Sequence, residues 1–376
     1  MKKSDLAILK LLDGDTDYLR RYLRIRDISK NVRVSEYLIT NACNIRCKGC
    51  WFFEYDFDKK SKEVTDLQRL EQFLLKERAR GINSALIIGG EPTLFPDRVK
   101  LFTEIMDNVT VSTNGLKKMP IKGFESVAVL ISLFGGGKLD DELRAIKPNK
   151  STFTGLFDTA LENYCDDPRA CFIFAITEDG IDYIEETVRK IHDNGNRVTF
   201  NFYSKYDSAD PLYQKDRDAL LNEALRVKNL YPKTVLSHPY YINSIVTGKT
   251  HWDKFSYEVC PSISVDHPDN QERIKNGNPV LPGFNAWAAD LETINLCCTS
   301  GHCDSCQDSQ AVFSWLLMSM AKFRGEPEML KTWIGIAESY WAQFSWIKKF
   351  DTDADDIDRA LVTPTYNNFI TSDAVF

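Results

Sequence analysis

Short runs rich in β-branched and aromatic residues alternate with stretches of helical periodicity from residue 33 onward, and this alternation constrains the fold most. Six runs have the length and composition of strands. They are residues 34–40, 84–88, 109–112, 127–133, 171–176 and 197–203. Helices are predicted to begin between them near Thr65, Pro96, Phe153 and Ile181, with only a short segment after Lys117. Such alternation is typical of parallel βαβ units, whose functional groups lie on the loops leaving the carboxyl ends of the strands.

Six strands are fewer than the eight that close a full barrel, so the pattern fits a partial, open barrel or an open doubly wound sheet. Periodic apolar positions in residues 4–30 predict one or two amphipathic helices, and a helix over about 211–229 ends the alternating part. We therefore expect an α/β fold with terminal helices. The predicted units are a helical cap (1–32), a barrel (33–235), a cysteine-rich region of irregular structure (236–310) and carboxyl-terminal helices (311–376).

The chain carries 47 Lys and Arg against 54 Asp and Glu, a net charge of −7. This balance argues against binding to duplex nucleic acid, which depends on basic side chains. No segment approaches the roughly 20 apolar residues of a membrane span, and MKKSDLAILKLLDGD is not a secretory signal. We expect a cytoplasmic protein, in which thiols stay reduced and clustered cysteines indicate metal binding or catalysis.

Eight of the ten cysteines fall into two groups, and the first group directly follows the first predicted strand. Cys43, Cys47 and Cys50 are spaced by four and three residues, which suits one face of a cubic iron–sulfur cluster whose fourth iron has no protein ligand. The alternatives are a zinc site completed from elsewhere in the chain and unligated buried thiols. Outside both groups, Cys165 and Cys171 are predicted to be small buried apolar residues.

The C-x-x-x-C-x-x-C loop resembles the signature of the radical S-adenosylmethionine (SAM) superfamily, in which the amino and carboxylate groups of SAM chelate the open iron. Segments at the following strand ends also resemble that family: a GGEP segment, with Glu91 accepting from the methionine ammonium, a TNG segment, and polar residues after the fourth and sixth strands. The residues that this resemblance assigns to SAM are Gly89, Gly90, Glu91, Pro92, Ser112, Asn114, Ser132 and Asn201. One departure is Gly49, where many members carry an aromatic residue, with Trp51 and Phe52 after the third cysteine.

The second group of cysteines can supply four thiolates to another metal site. Its members are Cys260, Cys303, Cys306 and Cys298, with Cys297 as the alternative to Cys298. We favour a second 4Fe–4S cluster over zinc, and His302 is an alternative ligand. Unligated cysteines and a disulfide across Cys303 and Cys306 are further alternatives. The tail loosely resembles that of adenosylhopane synthase and its relatives, although the third cysteine of their motif is absent, since residues 307–310 read Gln-Asp-Ser-Gln.

The resemblance implies a partial radical SAM barrel and an enzyme that reduces a 4Fe–4S cluster, cleaves SAM to a 5′-deoxyadenosyl radical and attacks a small molecule such as a sugar, nucleoside or isoprenoid. It also implies an electron donor such as flavodoxin or ferredoxin. Trp51, Phe52, Phe134 and Tyr203 are predicted near the mouth, where they would suit an apolar or planar moiety. The alternatives are a peptide- or protein-modifying enzyme and, from another class, a zinc-stabilised binding module. The apolar run 311–318 is interpreted as a core helix rather than a pocket wall or a membrane-facing patch.

Overall fold

A computed structural model describes residues 2–203, 216–252, 260–297 and 308–347. Within these ranges one sheet of eight strands forms the centre of the protein. The strands are β1 (Val34–Leu38), β2 (Ser84–Ile88), β3 (Asn108–Thr113), β4 (Val127–Phe134), β5 (Ala170–Ile176), β6 (Arg197–Phe202), β7 (Ala286–Trp287) and β8 (Ile294–Asn295). The first six confirm the six predicted strands, with ends shifted by at most two residues.

Helices follow most of the strands and flank the sheet at both termini. Those before β4 are α1 (Lys3–Leu11), α2 (Thr16–Asn31), α3 (Trp51–Glu54), α4 (Phe57–Lys60), α5 (Leu67–Ala79) and α6 (Pro96–Ile105). Those after β4 are α7 (Gly137–Arg144), α8 (Leu156–Tyr164), α9 (Ile184–Asp193), α10 (Arg217–Leu230), α11 (Pro239–Thr247), α12 (Gln271–Lys275), α13 (Ser309–Met318) and α14 (Pro327–Trp341). Residues 211–215 of the helix predicted over 211–229 lie outside the described residues.

The strand order is β6-β5-β4-β3-β2-β1-β7-β8, with every pair parallel except β7 and β8. Consecutive strands are neighbours from β1 to β6, and within these six the order never reverses, as it would in a doubly wound sheet. The sheet is not closed. The predicted α/β fold with a partial, TIM-like barrel is therefore confirmed, and the carboxyl ends of six parallel strands share one edge.

Alternate positions along the strands face the helices and form the main core. Tyr37, Ile87 and Val111 are at most 1% exposed and pack with helical residues such as Phe102 of α6 and Leu74 of α5. The residues between them face the concave side of the sheet. These include Glu36, Ser112, Ser132 and Asn201, so polar groups line the inside of the partial barrel.

The terminal helices pack against each other. Arg21 of α2 and Glu338 of α14 form a buried ion pair at 2.6 Å. After α14, the Trp346 indole Nε1 donates a 2.8 Å hydrogen bond to the Thr110 hydroxyl of β3. In α13 most residues from 311 to 316 are buried, and Phe313 stacks on Tyr241 at 3.7 Å. The interpretation of 311–318 as a core helix is thus confirmed, and no helix among the described residues could cross a bilayer.

The region from 236 to 310 is more ordered than predicted over the part that is described. It contains α11, α12, β7 and β8. Helix α11 begins with Pro239 at its first position and ends before Gly248, which has a φ of 71°. These are ordinary start and stop signals, but the β-branched residues between them obscured the helix. Strands β7 and β8 have two residues each, too few to give a periodic pattern.

Candidate functional site

The three cysteines of the first group lie on the loop that leaves β1, and each thiol is partly buried. Burial raises the pKa of Cys43 to about 12 and that of Cys50 to about 11, and it also raises the pKa of Cys47. Cys47 is among the neighbours that contribute to the raised values of Cys43 and Cys50. Thiolates formed on this loop would repel one another. A cationic metal group would stabilise them, since metals bind the deprotonated thiolate.

No group of three or more His, Cys, Asp or Glu side chains within the described ranges is arranged to hold a single metal ion, and this includes the cysteine loop. The ligands of a four-iron cluster bind separate irons and therefore stand farther apart than the ligands of one ion. Three cysteines on one loop are the donor set that a 4Fe–4S cluster with one open iron would require.

Backbone hydrogen bonds fix the cysteine loop to the end of α7. The Arg46 amide donates to the Ile146 carbonyl and the Lys48 amide to the Leu143 carbonyl, each at 2.7 Å. Ile45, between the first two cysteines, is 1% exposed. The loop is therefore anchored on both sides of Cys47.

The glycines after β2 let that strand end run directly against the cysteine loop. A Cβ on Gly90 would lie 2.1 Å from the Ala42 carbonyl oxygen, and a Cβ on Gly89, whose φ is 141°, would lie 2.7 Å from that of Thr40. Amides of this segment donate to the same two carbonyls, Gly90 to Thr40 and Glu91 to Ala42, both at 2.8 Å. The position therefore requires glycine because a side chain would displace the loop.

Glu91 is 1% exposed and accepts hydrogen bonds at both carboxylate oxygens. Its Oε1 accepts from the Thr93 amide at 3.0 Å, the Thr93 hydroxyl at 2.6 Å and the Thr113 hydroxyl at 2.7 Å. Its Oε2 accepts from the Asn114 amide at 2.8 Å. Burial raises the pKa of Glu91, and these hydrogen bonds oppose that change. Glu91 thus joins the ends of β2 and β3, while its contact with a methionine ammonium stays a prediction.

The other residues assigned to SAM lie at the same edge or on the concave face. The Asn114 amide Nδ2 donates to the Asn44 side chain at 2.7 Å, which links the end of β3 to the cysteine loop. Pro92 is buried, whereas Ser112 and Ser132 are partly exposed on β3 and β4. Asn201 on β6 accepts a hydrogen bond from the Ser309 hydroxyl at the start of α13.

Arg144, at the end of α7, is a site residue that the sequence analysis missed. Its side chain is 2% exposed, and its positive charge opposes the rise that burial causes in the pKa of the Cys47 thiol. The same guanidinium donates to the Ser132 carbonyl at 2.6 Å and to Asp140 at 2.8 Å. Its only signal in the sequence is an Asp and an Arg four residues apart, a pattern more often found on exposed helix faces.

The aromatic residues predicted near the mouth divide into two kinds. Phe52 is 2% exposed and packs with Leu38 and Phe57, so its ring is not available to a substrate. It is a core residue because α3 turns it toward the sheet. Phe134 and Tyr203 are partly exposed at the ends of β4 and β6, with ring centroids 6.3 Å apart.

Of the second cysteine group, only Cys260 and Cys297 lie within the described residues. Burial raises the pKa of Cys260 to about 12, and Cys297 contributes to that rise, so the two cysteines are neighbours. The other predicted ligands, Cys298, Cys303 and Cys306, lie outside the described residues, as does His302.

The two isolated cysteines differ in exposure. Cys171 is 1% exposed on β5, as predicted. Cys165 is exposed, so the prediction that it is buried is wrong. Its position as the residue that ends α8 places it beyond the buried face of that helix.

Comparisons with known proteins give one family match and one relative. Residues 37–159 match the family model described as the radical SAM superfamily. A GTP 3′,8-cyclase of Alkaliphilus metalliredigens is 27% identical over 92 residues, which cover 23% of this chain and only 29% of the cyclase.

Two solved structures align with most of the chain at low identity. The protein anSMEcpe with bound AdoMet is 12% identical, with a TM-score of 0.48, over 88% of this chain and 100% of that one. The FeFe-hydrogenase maturase HydG from Carboxydothermus hydrogenoformans is 14% identical, with a TM-score of 0.35, over 93% of this chain and 88% of the maturase.

Proposed function

We propose that this chain, which belongs to the radical SAM superfamily of enzymes, holds a 4Fe–4S cluster on Cys43, Cys47 and Cys50 and uses it to cleave SAM reductively. The observation that carries the proposal is the anchored loop of three neighbouring thiols beside the glycine-lined end of β2. When bound, the cluster and SAM supply one-electron cleavage of the sulfonium and a 5′-deoxyadenosyl radical.

The residues of this chain position the reactants and exclude solvent. Gly89 and Gly90 leave room at the loop, and Asn114 stays oriented through its hydrogen bonds to Asn44 and Leu116. Ser112 and Ser132 face the concave side, where their hydroxyls can bind the ribose or the methionine part of SAM. Asn201 offers its amide from β6 on the opposite side of the barrel.

The substrate that we propose is a small molecule such as a sugar, nucleoside or isoprenoid. Helix α13 narrows the inside of the barrel, since Ser309 at its start bonds Asn201. The pair of partly exposed rings, Phe134 and Tyr203, would suit a planar or apolar moiety. The matched relative is named for a reaction of GTP, a small molecule, although the match covers less than a third of it. We further propose that flavodoxin or ferredoxin supplies the electron to the cluster. The proposed location of the enzyme is the cytoplasm.

We also propose a second 4Fe–4S cluster on Cys260, Cys303 and Cys306, with Cys298 or Cys297 as the fourth ligand. Cys297 affects the pKa of Cys260, which supports keeping Cys297 as a candidate for that ligand. We propose the same four units as above: the cap (1–32), the barrel (33–235), the cysteine-rich region (236–310) and the terminal helices (311–376). Strand β7 adds that the cysteine-rich region pairs with β1.

Anaerobic reconstitution of the full chain tests the proposal. The wild type should turn brown, absorb near roughly 400 nm and bind about four or eight irons per chain. With dithionite it should convert SAM to 5′-deoxyadenosine and methionine. Replacing Cys43, Cys47 and Cys50 by Ala should abolish this conversion. A colourless protein that retains only zinc, or SAM cleavage by the triple variant, would contradict the proposal.

The second cluster has its own test. Cys303→Ala with Cys306→Ala should lower the iron content by about four per chain and leave the SAM-responsive signal of the first cluster intact. The matched control is Cys165→Ala, which removes an exposed thiol of neither group. Unchanged iron in the double variant would remove the second cluster from the account.

A further inference from the structure

Arg144 is a buried cation that pairs with a buried carboxylate. Its side chain and that of its partner Asp140 are 2% and 0% exposed, and the two form an ion pair at 2.8 Å. A buried ion pair of this kind rarely stabilises a fold more than apolar residues of similar volume would. The Nε atom of Arg144 and one Asp140 oxygen are buried without a hydrogen-bond partner, so the pair is also incompletely satisfied.

The guanidinium is held in one orientation by acceptors on separate strands. The Ser132 carbonyl of β4 accepts at 2.6 Å, and the Asn114 carbonyl after β3 accepts at 3.4 Å. Asp140 is itself held by the Phe134 amide at 2.9 Å. The positive charge therefore cannot turn away from the cysteine loop without breaking bonds to β3 and β4.

The segment that carries Arg144 lies against both chain neighbours of Cys47. The Lys48 amide donates to the Leu143 carbonyl and the Arg46 amide donates to the Ile146 carbonyl, each at 2.7 Å. The positive charge of Arg144 favours the ionised form of Cys47, against the effect of burial. The charged side chains that act on Cys43 are Glu91 and the other two cysteines, all of which are negative when ionised. For Cys50 they are Cys47 and Glu54. The cysteine loop thus has an asymmetric electrostatic environment.

We propose that Arg144 is a positioning residue that orients the Cys47 ligand and raises the reduction potential of the cluster. The inference rests on the proposed function, since it requires a cluster on this loop. A cluster that gains one electron becomes more negative, and a fixed positive charge at a buried ligand stabilises the reduced form. Arg144 would thereby make the cluster easier to reduce before SAM is cleaved.

The test is an EPR-monitored redox titration of the reconstituted full chain, following the signal that changes when SAM is added. Arg144→Met should lower the equilibrium constant for one-electron reduction about tenfold, which corresponds to about 59 mV. Arg144→Lys keeps the charge and should restore most of the difference. Asp140→Asn removes the opposing negative charge and should shift the potential in the other direction.

Arg169 provides the matched control. It is also a buried arginine, 4% exposed, and it pairs with Asp167 at 2.7 Å, but it lies at the opposite, amino end of β5. Arg169→Met should lower stability and leave the potential unchanged. If the cluster of the Arg144→Met variant has the wild-type reduction potential, the inference is overturned. If that variant does not fold, an unchanged reduction potential in Asp140→Asn overturns it. A wild type without a SAM-responsive cluster would instead refute the proposed function.

Discussion

Glu36 of β1 gives a prediction that depends only on the fold. Its side chain faces the concave side of the sheet and is 2% exposed. Its Oε1 is buried without a hydrogen-bond partner. The charge that acts on it is the Asp308 carboxylate, which adds repulsion to the cost of burial. Burial thus raises the pKa of Glu36 from its ordinary 4.5 to about 8.

The direction and size of the effect follow from these two pKa values. In the unfolded chain Glu36 ionises above about pH 4.5, whereas the folded protein keeps it protonated up to about pH 8. At low pH Glu36 is protonated in both states and does not change the free energy of unfolding. As the pH rises through this window, the burial of Glu36 lowers the free energy of unfolding progressively. With 1.36 kcal/mol per pH unit, the full penalty is about 5 kcal/mol above pH 8.

Glu36→Gln tests this reasoning because an amide stays neutral at every pH. The free energy of urea unfolding is measured for variant and wild type, under thiol reductant, from pH 5 to pH 8. The variant should gain between about 3 and 4 kcal/mol over the wild type across that range. Glu71→Gln, on the exposed face of α5, is the matched control for the same substitution at the surface. A variant-minus-wild-type difference that stays constant with pH would refute the reasoning.

Two further changes test the site and the barrel. Gly90→Ala places a Cβ 2.1 Å from the Ala42 carbonyl, so it should displace the cysteine loop and lower iron loading severalfold while the circular dichroism stays that of the wild type. Normal loading would contradict the close approach. Trp346→Phe removes the hydrogen bond to Thr110 and should lower the free energy of unfolding by about 1 kcal/mol, whereas unchanged stability in urea would show that this contact contributes nothing.

The sequence was sufficient for the six parallel strands because each is a short run rich in β-branched and aromatic residues, and helical patterns separate most of these runs. It was insufficient for β7 and β8, since two-residue strands exist only through their pairing with β1 and with each other. Helix α11 was within reach, because Pro239 and Gly248 mark its ends, but its β-branched residues weighed against a helix.

The candidate site was predictable where chemistry depends on residue type and spacing, as in the cysteine loop and in Gly89 and Gly90. Arg144 was not predictable, because residues 47 and 144 meet only when α7 packs against the loop that leaves β1. Nothing local distinguishes its pairing with Asp140 from a solvent-exposed pair. The two hydrogen bonds that Glu91 accepts from Thr113 and Asn114 likewise depend on how β2 and β3 align.

The EPR spectrum of the dithionite-reduced, reconstituted protein, recorded before and after saturating SAM, tests the central claim most directly. An iron without a protein ligand can accept SAM, so the account predicts that SAM changes the spectrum of the wild type. The variant that replaces Cys43, Cys47 and Cys50 by Ala should lose the SAM-responsive signal. A wild-type spectrum that saturating SAM leaves unchanged would contradict the claim that this cysteine loop presents an open iron.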